Sequence, residues 1–170
     1  MNKIILLAGG LLVSAVSSRR NHKAALPFPS ADADLVTSLP QMPDLSFGYY
    51  SGYVPIDGTE KQLHYVATLS MNDPLNDPVV FWYNGGPGCS SMLGLLQENG
   101  PYIIDNFETE FKVNNYTWNK GANLIFIEAP AGVGYSTCPN LDECHFTDDS
   151  TAQDNLVAVR NIFLLKFPEL

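Results

Sequence analysis

Hydrophobic positions along this chain change their period several times, and each change marks an element. From Phe47 the sequence turns aromatic: Tyr49-Tyr50-Ser51-Gly52-Tyr53-Val54 suits a strand, and Asp57-Gly58 is a turn signal. Leu63, Tyr65, Ala67 and Leu69 then alternate with more polar neighbours, as a half-buried strand does. The two runs predict a β-hairpin. Asp73-Pro74 and Asp77-Pro78 bound the next loop. Val79 to Tyr83 is a continuous apolar run of strand length, which predicts a central strand rather than an edge. A short helix is predicted over Ser91 to Glu98, with Met92, Leu95 and Leu96 inward and Asn99-Gly100-Pro101 as its stop. Asn123 to Glu128 is a second buried strand, ended by Ala129-Pro130-Ala131-Gly132-Val133-Gly134. A last helix is predicted to start near Asp148 to Ser150, with Ser150 and Gln153 as a capping box. Its apolar face collects Ala152, Leu156, Val159, Phe163 and Phe167. Antiparallel strands followed by buried strands alternating with helices predict an α/β sheet with an antiparallel edge.

Composition narrows the class. The chain has 170 residues, enough for one domain with a core, and 45% hydrophobic against 16% charged residues describes an ordered protein. Nine Lys and Arg against 18 Asp and Glu give a net charge of −9, which argues against nucleic-acid binding. Residues 1–18 read as a signal peptide: Lys3 supplies the positive start, Ile4 to Val16 a short apolar stretch, and Ser14, Ala15, Ser17 and Ser18 a cleavage region. That stretch falls short of the ~20 residues a membrane-spanning helix needs, so no membrane association is expected after cleavage. Residues 19–38 read as a leader or N-terminal extension, with Pro27 and Pro29 breaking regular structure.

The three cysteines, Cys89, Cys138 and Cys144, are an odd number for an oxidising compartment. Cys138 and Cys144 are close enough in sequence to bridge locally. Cys89 is then either a free buried thiol or half of a disulfide whose partner lies on other polypeptide.

The candidate chemistry sits between the first buried strand and the short helix. Asn84-Gly85-Gly86-Pro87-Gly88-Cys89-Ser90-Ser91 is a glycine-dense turn at a strand end, where bare backbone N–H groups can hold a developing oxyanion. Ser90 and Ser91 are set aside as nucleophiles, because no base can be named beside them and serine is favoured at helix starts. Gly132-Val133-Gly134 lacks the third glycine of a dinucleotide fingerprint. Cys138, Cys144 and His145 make a weak zinc pattern, and no metal is expected. Asn115-Tyr116-Thr117 is a glycosylation sequon.

Taken with Tyr50-Ser51-Gly52-Tyr53-Val54, Glu98-Asn99-Gly100-Pro101, Trp118-Asn119-Lys120 and Glu128-Ala129-Pro130-Ala131-Gly132-Val133-Gly134-Tyr135-Ser136, the glycine turn with Trp82-Tyr83 before it resembles the N-terminal part of a serine carboxypeptidase, over residues 39–170. The resemblance implies the N-terminal portion of an α/β-hydrolase fold with an incomplete central sheet. It implies that Gly86 donates a backbone N–H to the oxyanion. It also implies that Asn84 with Gly85 holds the free C-terminal carboxylate of a peptide substrate, that Glu98 shares a proton in that network, and that Trp82 frames it. Activity at acidic pH is expected on that ground. Cys89 is implied to pair with a downstream cysteine. No cofactor is implied, oligomeric state is left open, and the expected destination is the secretory pathway, ending in a lysosome or vacuole or outside the cell.

The sequence also contains no G-x-S-x-G elbow, and none of His22, His64 and His145 lies where the family's catalytic histidine belongs. The expectation is therefore an incomplete sequence whose full-length form hydrolyses C-terminal peptide bonds through an acyl-enzyme, with this chain lacking the triad and inactive alone. The alternatives are a truncated non-enzymatic binder of peptide C-termini and a carboxypeptidase-like acyltransferase.

Overall fold

The computed structural model describes residues 28–104 and 110–170, so the predicted signal peptide and residues 19–27 of the leader lie outside the described residues. The predicted hairpin is formed by β1 (Tyr49–Pro55) and β2 (Gln62–Thr68), antiparallel with Gly52 opposite Tyr65. β3 (Val79–Trp82) follows, then the two short strands β4 (Tyr102–Ile103) and β5 (Lys112–Val113), which pair with each other, then β6 (Asn123–Ile127). The main sheet runs β1-β2-β6-β3, with β2 antiparallel and β3 parallel to β6. This mixed sheet, with helices packed on it, is a partial α/β-hydrolase fold.

Side-chain alternation divides the sheet into two faces. Tyr50, Val54, Leu63, Tyr65, Ile125 and Ile127 point to one core, where Phe167 meets the rings of Phe28, Tyr50 and Tyr65 edge-on at 5.2 to 6.0 Å. Tyr49, Val66, Leu124 and Phe126 point to the other, against Leu95. β6 is buried at all five positions because it is covered on both faces. β3, expected as a central strand of an incomplete sheet, pairs among the described strands with β6 alone and is half-buried throughout, as a strand with a neighbour on one side is.

The last helix, α1 (Asp148–Asn161), is capped by Thr147 rather than Ser150. The Thr147 Oγ1 accepts the Ser150 N–H at 3.2 Å while the Ser150 Oγ accepts the Thr147 N–H at 2.9 Å. Its inward stripe is also rotated from the predicted one. Asp154, Ala158 and Asn161, with Ile162 beyond the helix end, are buried, whereas Leu156 is exposed and Val159 and Phe163 are only partly covered. Polar side chains face inward here because the hairpin supplies their partners. Lys61 Nζ meets Asp154 Oδ2 at 2.9 Å, and Asn161 Nδ2 donates to the Pro55 carbonyl and to Asp57 Oδ1, both at 2.9 Å. The short helix after the glycine turn winds as a π-helical segment over Gly94–Glu98, closed by Asn99 N–H donating to the Gly94 carbonyl. Its stop at Asn99-Gly100-Pro101 falls where predicted.

Candidate active site

Asn84 lies two residues past the end of β3, and its side chain is held from three sides. Its Oδ1 accepts from the Trp82 indole N–H at 2.9 Å and from the Gly94 N–H at 3.0 Å. Its Nδ2 donates to Glu98 Oε1 at 3.1 Å. A primary amide carries two N–H donors, so among the described residues one Asn84 donor is left for a guest beside the exposed Glu98 carboxylate. The Trp82 ring stands edge-on to Trp118 at 5.7 Å, which fixes the indole that orients Asn84. The structure thus brings Trp82, Asn84 and Glu98 into one network.

Gly85, Gly86 and Cys89 are exposed on the turn itself. Gly86 has φ +134, a conformation that side-chain-bearing residues rarely adopt, and its N–H is engaged by no hydrogen bond among the described residues. Cys89 is a free, exposed thiol, not a buried one, while Cys138 and Cys144 form the local disulfide. Asn115 is exposed, whereas the Thr117 of its sequon is buried and donates to the Asn99 carbonyl at 3.1 Å.

Beneath the turn lies a cluster that the sequence reading missed. By strand parity Ser51, His64 and Glu128 project to the same face of the sheet, the face that carries the turn. A carboxylate only accepts, so His64 Nδ1 carries the proton it donates to Glu128 Oε2 at 3.0 Å. His64 Nε2 is then free to accept from Ser51 Oγ, also at 3.0 Å. The rings of Tyr53 and Tyr135 flank the imidazole at 5.4 and 5.3 Å.

This is the connectivity of a serine–histidine–acid relay, and it corrects the expectation that the chain has no such arrangement, the ground on which it was expected to be inactive alone. A local elbow motif does not mark the three residues, because Ser51 lies on β1, His64 on β2 and Glu128 just past the end of β6. The period-2 pattern of the hairpin was the available signal.

Glu128 has no exposed side-chain surface. Burial pushes its carboxyl up, but hydrogen bonds from His64, Ser90 and the Tyr135 N–H outweigh that and hold it below the usual carboxylate range. Gly134 is required beside it, since a Cβ there would overlap the carboxylate. Ser91 Oγ donates to the Ile127 carbonyl at 2.6 Å and accepts the Asn84 N–H at 3.1 Å, so both serines of the turn are committed to holding it. An apolar cavity of about 610 Å³ opens alongside, walled by Met92, Leu95, Leu96 and Tyr135 and touched by Ser90 and Gly134.

The serine carboxypeptidase family model matches residues 40–170. The chain is 41% identical over 165 residues to serine carboxypeptidase-like 31 of Arabidopsis thaliana, covering 94% of this chain and 33% of that one. It is 42% identical over 161 residues to the lysosomal protective protein of Mus musculus, covering 94% and 32%. Among solved structures it is similar to a prohormone-processing carboxypeptidase from Saccharomyces cerevisiae, with TM-score 0.66, 27% identity and coverage of 83% of this chain and 34% of that one. It spans about a third of the length of these proteins. The match runs through the glycine turn, the Asn84 network and the sheet beneath them, and the chain belongs to the serine carboxypeptidase family.

Proposed function

We propose that this chain binds the free C-terminal carboxylate of peptides at Asn84, Gly85 and Glu98, as the substrate end of serine-type carboxypeptidase chemistry. The observation that carries the reading is the Asn84 side chain, fixed by Trp82 and Gly94 with one N–H donor left beside the Glu98 carboxylate. A guest carboxylate against Glu98 needs a shared proton, because two like charges in contact disfavour double ionisation. Binding therefore takes up a proton and tightens as pH falls.

In the reaction, a serine oxygen attacks the carbonyl carbon of the last peptide bond, and the Gly86 N–H donates to the resulting oxyanion. The C–N bond then breaks as the leaving amine takes a proton, and water releases the acyl group. The apolar cavity beside the turn suits a hydrophobic side chain of the peptide. Family membership and the names of the relatives support a secretory-pathway destination, with Asn115 as a glycosylated residue and Cys89 as a disulfide partner to another segment of the protein.

Calorimetry with a short peptide as its free acid and as its C-terminal amide tests the binding reading. The free acid is expected to bind at least about tenfold tighter, and Asn84→Ala to remove the difference. Equal affinities would defeat it.

The relay favours a second reading, in which Ser51 is itself acylated. A fluorophosphonate probe mapped by mass spectrometry is then expected to modify Ser51, and the adduct to vanish in Ser51→Ala. A probe that leaves Ser51 untouched in the folded wild type removes that reading and leaves the carboxylate site standing.

A further inference from the structure

We infer that Glu128 is a positioning residue that locks the orientation of the glycine turn on the sheet; this rests on the reading of that turn as a carboxylate and oxyanion cradle. Its carboxylate collects donors from three separate segments. Oε2 accepts from His64 Nδ1 on β2 at 3.0 Å and from the Tyr135 N–H at 2.8 Å, and Oε1 accepts from Ser90 Oγ at the end of the turn. The neighbouring Ser91 ties the same turn to the Ile127 carbonyl at 2.6 Å. Two consecutive serines thus fasten the turn to the last residue of β6 and to the residue after it.

One tether leaves a turn free to pivot about it, whereas two adjacent tethers set its direction. Direction is what the cradle requires, because an N–H donor serves an oxyanion only when aimed at the place where charge develops. The Ser90 tether is charge-assisted and made to a side chain with no exposed surface, where hydrogen bonds are strongest. His64 and Tyr135 hold Glu128 from the opposite side, so the carboxylate cannot follow the turn if the turn moves.

A purely structural Glu128, present to neutralise or support His64, makes a different forecast. Ser90→Ala deletes the turn's bond and leaves the His64 and Tyr135 bonds in place, and Ser90→Thr keeps the hydroxyl. We expect Ser90→Ala to lose about tenfold of the preference for a free-acid peptide over its amide. We also expect faster amide hydrogen exchange over residues 84–95 with no change over α1, and Ser90→Thr to restore both.

Wild-type exchange and wild-type selectivity in Ser90→Ala would overturn the inference, as would loosening of α1 to the same extent or a Thr variant as impaired as the Ala one. If the wild type shows no preference for the free acid but Ser90→Ala still loosens residues 84–95 alone, the carboxylate reading falls and the positioning by Glu128 stands.

Discussion

Glu128 places a full negative charge in the interior and surrounds it with donors rather than with a cation alone. Its folded-state carboxyl is depressed, so the sign of its pH effect follows directly. The stability it contributes is fully present above the ordinary glutamate value of about 4.3 and is lost as pH falls through the lower folded value. Urea midpoints of the wild type and Glu128→Gln are therefore expected to differ most near neutral pH and to converge as the solution is acidified below the ordinary glutamate range. A gap independent of pH over that range would mean that the charge on Glu128 does not contribute.

Individual residues were unevenly legible in the sequence. Trp82, Asn84 and Glu98 were named because a specific motif carries them, and the structure joins them in one network. Nothing local marks Ser51 and His64 as partners: Ser51 and Glu128 both reach His64 through the pairing of β1 and β6 with β2.

Among the elements, α1 shows where a hydrophobic stripe misleads. Leu156 and Val159 have the right spacing for a core face, yet the helix turns Asp154 and Asn161 inward because Lys61 and the Pro55 carbonyl wait on the hairpin. Apolar periodicity alone does not register such cross-element polar pairs, and so the helix was found while its rotation was not. The Lys61–Asp154 pair is nearly enclosed, with side-chain exposures of 9% and 11%. Removing one partner strands a buried charge, so Asp154→Ala is expected to cost about 3 kcal/mol in urea unfolding, and the double replacement Lys61→Met with Asp154→Leu much less. A single variant that costs less than about 0.5 kcal/mol would place the pair with ordinary surface ion pairs. The hairpin and β6 fall where turn chemistry and period place them, but β2, expected to be half-buried, is buried from Leu63 to Thr68 because both faces of the sheet are covered there. β3 was read as central from its apolar run, which half-burial on the observed sheet also tolerates.

At the scale of the molecule, the sheet separates two tasks. One face packs α1 and the aromatic cluster around Phe167, and supplies cohesion. The other face gathers the relay, the glycine turn, the Asn84 network and the apolar cavity. Family membership was legible from motif order along the chain, whereas the relay became visible only once the strands were paired. The central claim is that the Asn84 network receives a peptide carboxylate, and nitrogen-resolved NMR tests it most directly, because Trp82 and Asn84 each carry a side-chain N–H in the site. Titration with a free-acid peptide is expected to shift the Trp82 indole and Asn84 amide resonances, progressively more at lower pH, while the amidated peptide leaves both in place. Equal shifts with the two peptides, or none with either, would contradict the account.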